Sequence, residues 1–585
     1  MLRNLPAIVP VAVLALSLTP ASPAAAQANV AFGSTRVVTN DIIGGAPGTP
    51  RNVTITNNGS AALNLSGLTL TGVSGGEESQ FQLTPAQPLP LVLAPGASTT
   101  VAVVFNPTVA GPVIARLGLT SDAANNDAVS VSLQGLGTLG IGTGKEPSLQ
   151  WILDTYLIPI NIGDTNPATD ALPATVPLGE EISPPQFRKA GSSPVTVEAL
   201  AVFSGQGAPG YVVSLGYYTA GNPNAKTQLF TVPNPNYQSL APATNGTLSF
   251  DPGNNSFGFY SVWPFLSNRT VYSEERLNTF SGAIPHQTRI YPLKRADGSR
   301  EPNAYVVSVE ETTINFDFQD IVFIVRNVKP VPPGDFHGTV GKSDILLRNP
   351  ATGENTVWQM NDAAFLEEFE IAPVGDPNWE IGGAADFNFD GKVDILWRNK
   401  ATGANSVWLM NGTAFVSSAA LLAVGDLNWQ IAGTGDFNFD GKVDILWRNK
   451  ATGANSVWLM NGTAFVSSAA LLAVGDLNWQ IVGAGDFTGD SRPDILWRNT
   501  ATGANTVWRM SGTTFGAALA IPSVSDLGWQ IGGVGDYNSD NKPDILWRNT
   551  ATGANSIWRM NGTTLGSAVA IPALDDLNWQ IRGPR

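Results

Sequence analysis

Cysteine is absent from the 585 residues, and histidine occurs only at His286 and His337. The first absence excludes disulfide staples, thiol nucleophiles, thiolate metal sites and a lipidated N-terminal Cys, so stability has to come from packing or from ions held by oxygen. The second leaves imidazole acid–base chemistry poorly supplied. Charge is sparse and unbalanced: 32 Lys and Arg against 47 Asp and Glu give −15. No basic patch offsets this, so phosphate backbones and anionic lipid surfaces are repelled, and nucleic acid is not expected as a partner. Long hydrophobic runs are missing except for Ala7–Leu18, which is too short to span a bilayer. It follows Arg3 and precedes Ala24-Ala25-Ala26, an A-x-A pattern before Gln27. Residues 1–26 therefore read as an export signal cleaved near Ala26; the mature chain is expected to be secreted, at the cell surface or in the periplasm, with no membrane insertion.

What remains has the length for three or four domains, all of them strand-rich. Between residues 29 and 137, short runs alternate apolar and polar residues: Val53 and Ile55, Leu63 and Leu65, Leu68 and Leu70, Val101, Val103 and Phe105, Ala115, Leu117 and Leu119, Val129, Val131 and Leu133. Clusters such as Asn57-Asn58-Gly59-Ser60 and Ala94-Pro95-Gly96-Ala97 divide them. Alternation buries one face of each strand, and this spacing predicts an immunoglobulin-like β-sandwich. The stretches VTITNNGSAALNLSGLTLTG, LAPGASTTVAVVFNP and SVSLQGLGT resemble the choice-of-anchor-D and ASPM/SPD-2/Hydin-type sandwich domains. That resemblance implies a spacer or interaction module without catalytic residues.

A glycine-rich linker occupies 138–147. Gly144-Lys145 is followed there by Glu146, and Leu139 stands where a phosphate loop needs its first glycine, so no phosphate cradle is predicted. GVSGG at 72–76 fits G-x-S-x-G but lies inside the sandwich with no helix after it. Residues 148–328 read as a second sandwich-like domain without helical periodicity, followed by a Pro-rich linker at 329–333. Near its end Glu310, Glu311, Asp317 and Asp320 precede the apolar strand Ile321–Val325. With FGFYSV (257–262) and VYSEERLN (271–278), this ending resembles calcium-associated bacterial β-sandwich domains of unknown function that finish in D-F-x-D and a hydrophobic strand. The resemblance implies fold; a calcium site and a solvated acidic loop both stay open.

From 334 to 585 the chain repeats itself. The Asp of each DIL strand stands at 344, 394, 444, 494 and 544, a period of 50 residues, in the range of propellers and solenoids. Each unit holds four apolar runs; in the second they are 394–399, 406–412, 419–424 and 428–435. Four short strands per unit predict a propeller blade, and five units predict five blades if the ring closes, with an open or a seven-bladed arrangement as alternatives. ATGAN (401–405) and Asn411-Gly412 supply hairpin turns. Residues 386–431 and 436–481 are identical. Of the 16 tryptophans 14 fall in this array, as at Trp397, Trp408 and Trp429, where they suit packing between blades or an aromatic ligand platform.

Each DIL strand follows an acidic loop. From Asp386 to Asp394, oxygen-bearing side chains occupy positions 1, 3, 5 and 9, with Gly391 at position 6. Alternate residues converge on one side, glycine turns the chain, and hard oxygen donors select Ca2+ over zinc or copper. Carboxylates about 4 Å apart repel by about 4 kcal/mol per pair at an effective dielectric of about 20, a cost that a cation removes. The alternative is a set of Asx turns that order the loop without metal. An EF-hand is excluded, because Trp397 holds the twelfth position and strands flank the loop.

GDFNFDGKVDILWRN resembles the FG-GAP or VCBS-type repeat of bacterial secreted proteins and integrin α-chain propellers, whose calcium loop is similar to D-x-(D/N)-x-D-G-x-x-D. The resemblance implies calcium on Asp386, Asn388, Asp390, the Lys392 carbonyl and Asp394, and on Asp436, Asn438, Asp440, the Lys442 carbonyl and Asp444. In the fourth unit Thr488 and Ser491 depart from the pattern and leave Asp486, Asp490 and Asp494; in the fifth, with Asn541 for glycine, Asp536, Asn538, Asp540 and Asp544 remain. The first unit, one residue longer and with Thr339 at the third ligand position, is not expected to bind.

Together these features predict an all-β, exported, non-enzymatic and calcium-stabilised protein that binds or adheres to an extracellular glycan or protein. The alternatives are a hydrolase using middle-domain carboxylates, with Glu274, Glu275, Glu310 and Glu311 available, or a structural surface or matrix component.

Overall fold

Period-two alternation becomes strand throughout the chain. The computed structural model describes residues 26–584 other than 143–144, 164–178, 183–185, 205–211, 221, 235, 254, 275–276, 284–286, 313–316, 332–333, 338–341 and positions 389, 439, 441, 491, 539 and 541. Among the described residues there are 42 strands against one α-helix and three 3-10 turns, so the fold is all-β. The export-signal reading of residues 1–26 falls outside them except for Ala26. No described helix is long and apolar enough to cross a membrane.

Near the N-terminus a four-stranded sheet (30–32, 51–57, 98–105, 81–85) and a five-stranded sheet (36–42, 131–138, 111–121, 63–72, 91–93) bury Val30, Ile55, Leu63, Leu65, Val101 and Leu119 in one core. These are inward positions of the alternating runs.

In the middle region a seven-stranded and a six-stranded sheet enclose Phe187, Leu215, Phe230, Phe259, Trp263, Val307 and Phe323. The helix Leu149–Thr155, capped by the Ser148 hydroxyl on the Trp151 N–H, covers the other face of the six-stranded sheet with Leu149, Ile152 and Leu153. Two turns are too short to show a helical period, which is why the sequence reading has no helix here.

The array forms five four-stranded antiparallel sheets. Their order corrects the phase of the units read from the sequence. The run at 428–435 opens the third sheet and does not close the second, which consists of Trp379–Ala385, Asp394–Asn399, Asn405–Asn411 and Ala414–Leu421. The outermost strand also begins at Ala414, not 419, because Gly412 (φ +66°) turns the chain directly after Asn411. A strict repeat has no intrinsic first strand; closure selects one. Gln580–Gly583 joins Ile345–Arg348, Asn355–Asn361 and Ala364–Ile371, so the last strand of the chain is the innermost strand of the first sheet. The innermost strands adjoin in order and the last adjoins the first, which closes a ring of five sheets. They read IGGAA, IAGTG, IVGAG and IGGVG because backbones meet closely there: a Cβ on Gly382 would stand 2.8 Å from the Ile431 side chain.

Between neighbouring sheets, Trp397, Trp447, Trp497 and Trp547 are each 1% exposed and sit in the inter-sheet cores, so this tryptophan position is packing. A guanidinium from the preceding sheet covers each ring: Arg348 on Trp397 at 5.1 Å, Arg398 on Trp447 at 5.0 Å, Arg448 on Trp497 and Arg498 on Trp547 at 4.9 Å. At the closing seam Leu347 takes the aromatic position, and Arg559 instead grips Asp362 with two bonds of 2.9 and 2.7 Å.

Candidate metal loops and binding face

Connections leave each sheet on two opposite edges. On one lie the acidic loop before the second strand and the turn before the outermost strand, which is Asn-Gly in the second, third and fifth sheets. On the other lie the ATG hairpin and the linkers from the preceding sheet and to the next, tied together where Lys400 N–H donates to the Asn378 carbonyl of the incoming linker and Val424 N–H of the outgoing one donates to the Gly403 carbonyl. The ring therefore has an acidic-loop face and a linker face.

In the second loop Asp386 Oδ1 and Asn388 Oδ1 both accept the Asp390 N–H at 3.1 Å, Asp386 Oδ2 accepts the Gly391 N–H at 2.8 Å, and Asp390 Oδ1 accepts the Lys392 N–H at 2.9 Å. The third loop repeats this: Asp436 and Asn438 converge on the Asp440 N–H at 3.1 and 3.3 Å, and Asp440 takes the Lys442 N–H at 3.1 Å. In the fourth, Asp486 accepts from Gly489 and Asp490 at 2.7 and 3.0 Å; in the fifth, Asp536 and Asn538 converge on Asp540 at 3.2 and 2.9 Å. Positions 1, 3 and 5 are thus brought together, as a turn requires. Thr339, Ser491 and Asn541 lie outside the described residues.

Position 9 has a different place. Asp394 is fully buried; its Oδ2 accepts the Phe387 and Asn388 N–H groups at 3.0 and 3.3 Å, and its Oδ1 accepts the Met410 N–H at 2.9 Å. Asp344, Asp444, Asp494 and Asp544 take Met360, Met460, Met510 and Met560 in the same way. Burial pushes all five carboxyls up to about 7, against the pull of the amide donors. The front of each complete loop is accordingly two carboxylates and an amide oxygen, with the third carboxylate set back as a brace to the sheet. Hard oxygens at positions 1, 3 and 5 fit the chemistry of a calcium ligand set.

The first loop is used otherwise. Asp335 pairs with Arg188 of the middle region, both nearly fully buried. The second loop abuts the same region: a Cβ on Gly391 (φ +79°) would stand 2.7 Å from Gln186 Oε1 and 3.1 Å from the Ala220 methyl. The middle region therefore rests on the acidic-loop face. Of the carboxylates considered for hydrolysis there, Glu274 is buried and accepts the Tyr218 hydroxyl at 2.8 Å, Glu310 and Glu311 are buried, and Glu275 lies outside the described residues, as does His286.

On the linker face the sequence reading passed over a recurring turn. Asp426 Oδ1 accepts the Asn428 N–H at 3.0 Å and its Oδ2 accepts Asn449 Nδ2 at 3.0 Å, leaving Leu427 pointing out between them. Leu427, Leu477, Leu527 and Leu577 are 41%, 41%, 45% and 49% exposed, each beside a half-buried Trp and a Gln on the innermost strand. Gln430 donates to Gln480 of the next sheet at 3.2 Å. The signal was available as D-L-(N/G)-W at a 50-residue spacing, but without the sheet order its exposure was not legible.

A family model described as an FG-GAP-like repeat matches residues 386–447, 436–497 and 486–547. These residues are FG-GAP-like repeats. Among curated proteins none matches the chain. Solved structures similar to parts of it include a protein of unknown function from Porphyromonas gingivalis (19% identity, 20% of this chain and 50% of that one, TM-score 0.15). Others are PapD-like domain 7 of human CEP192 (12% identity, 23% and 99%, TM-score 0.16) and a nidogen/laminin complex (12% identity, 41% and 96%, TM-score 0.27). The chain spans half the length of the first of these.

Proposed function

We propose that the chain is an exported, non-enzymatic binding protein, its FG-GAP-like ring stabilised by calcium on the acidic loops of the second to fifth units and its linker face turned to an extracellular glycan or protein. One observation supports this above the others: the linker face repeats the same solvent-facing Leu, half-buried Trp and Gln at successive sheets, while the opposite face is partly taken by the middle region. Equivalent groups repeated around a ring suit a ligand that itself repeats, such as a polysaccharide, because several weak contacts then add through effective concentration. Aromatic and amide groups side by side match the apolar faces and hydroxyls of sugars.

A glycan array probed with the mature chain tests the reading. Binding in calcium, weakened in EDTA and lost in Leu427→Asp/Leu477→Asp at an unchanged melting temperature, is the result expected. Equal binding by that variant and the parent contradicts the face assignment.

A further inference from the structure

Each sheet of the ring presents its outermost strand to solvent, paired on one side only. An open edge is a template for another strand, and chains ordinarily blunt it with charge or proline. The five edges differ in this respect. The first carries Glu367, Glu368 and Glu370, all exposed. The fourth and fifth run into Pro522 and Pro572 and hold Gly516 and Gly566 near their starts. The second and third, Ala414–Leu421 and Ala464–Leu471, have no charged residue and no proline within them or for three residues on either side. Val416 and Leu422 are 62% and 55% exposed there, Val466 and Leu472 62% and 53%.

These two edges are also complementary to themselves. On the inner side Ser417 pairs with Leu409 and Phe415 with Met410, so Val416 is bulged out of the ladder and the strand runs regularly from Ser417 onward. Laid antiparallel on its own copy about Ala419, the edge sets Ser418 across from Ala420 and Ser417 across from Leu421, and brings Val416 to Leu422 at both ends. Small residues fill the middle, an apolar pair closes each end, and no charge is opposed. The same register on the first edge sets Glu368 across from Glu370 twice, like charges face to face. On the fourth and fifth it offers glycine to proline, with no apolar pair to close the ends. Charge and side-chain size therefore admit self-pairing on the second and third edges and oppose it on the others.

We propose that the second and third edges are contact surfaces for further copies of this chain, each joining two rings through a two-fold antiparallel strand pair. One strand pair, about 27 Å long at about 3.4 Å per residue, is a small contact beside the roughly 1,200 Å² of a lasting dimer. Single contacts therefore exchange, and association follows concentration. Two edges per ring carry it past the dimer into open rows. The proposal rests neither on a ligand at the linker face nor on metal in the acidic loops.

Sedimentation velocity of the mature chain over a concentration series, in low and in high salt, tests this. Species larger than a dimer are expected to grow with concentration, and further in high salt, which screens the −15 charge that every copy shares. Ser418→Glu/Ser468→Glu gives both edges the glutamate that the first sheet already accommodates at 368. It is expected to weaken association by about tenfold or more at an unchanged melting temperature. Ser418→Glu alone leaves one edge and is expected to stop assembly at the dimer. Should a glutamate variant misfold, Val416→Lys/Val466→Lys, at solvent-facing positions, gives the same readout. A parent that stays monomeric at every concentration, or folded edge variants that associate as the parent does, overturns the proposal; association lost instead in Leu427→Asp/Leu477→Asp places the contact on the linker face.

Discussion

Asp394 accepts the Met410 backbone N–H at 2.9 Å, and the same Asp-to-Met bond recurs in all five sheets. It ties the end of the acidic loop to the third strand of its own sheet. Position 9 of the loop is thus a brace whether or not positions 1, 3 and 5 hold metal.

That brace makes stability depend on pH. Burial raises the five Asp carboxyls from 3.8 to about 7, so in the metal-free fold they keep protons that the unfolded chain releases above about pH 4. The folded state then binds more protons in this window, and stability falls as pH rises from about 4 to about 7. Exposed turn carboxylates such as Asp376 and Asp426, lowered chiefly by their backbone donors Asn378 and Asn428, act only below that window. Guanidinium denaturation in EDTA is expected to give a higher midpoint near pH 5 than near pH 8, with Asp394→Asn flattening the difference.

The Arg–Trp seams differ in strength from the closing seam. Arg448 is fully buried and donates to the Gly453 carbonyl at 3.2 Å, Asn455 Oδ1 at 3.0 Å and the Val474 carbonyl at 3.2 Å, besides covering Trp497. Arg448→Ala strands those acceptors and is expected to cost about 3 kcal/mol or more. Asp362→Ala, which breaks the half-exposed pair at the closing seam, is expected to cost about 1 kcal/mol or less. Equilibrium unfolding of the two variants checks the order.

Closure by the last strand predicts that removing residues 580–585 exposes an edge of the first sheet along Ile345–Arg348. The shortened chain is expected to lose the array's cooperative melting and to self-associate, read by tryptophan emission and light scattering. An unchanged melting curve contradicts the ring.

The five sheets were legible because Asp344, Asp394, Asp444, Asp494 and Asp544 keep an unbroken period, and because Trp397 and its equivalents are large enough that burial between sheets dominates. Phase was not: Trp429 follows the linker in sequence equally well as the end of one unit or the start of the next, and only the pairing of Gln580–Gly583 with the first sheet decides. Loop spacing showed that Asp386, Asn388 and Asp390 share one turn. It did not show that Asp394 turns inward, since a ninth-position carboxylate has the same sequence whether it faces an ion or the Met410 amide. The pairing of Asp335 with Arg188, 147 residues earlier, left no trace in local pattern.

The most direct test is a thermal melt of the mature chain followed by tryptophan emission, in millimolar calcium and in EDTA, beside Asp390→Ala/Asp440→Ala. Bound ions that pin the acidic turns predict a higher transition in calcium that the double variant reduces by about half, two of four loops being disabled. Superimposable curves for the parent in calcium and EDTA contradict a metal-stabilised ring.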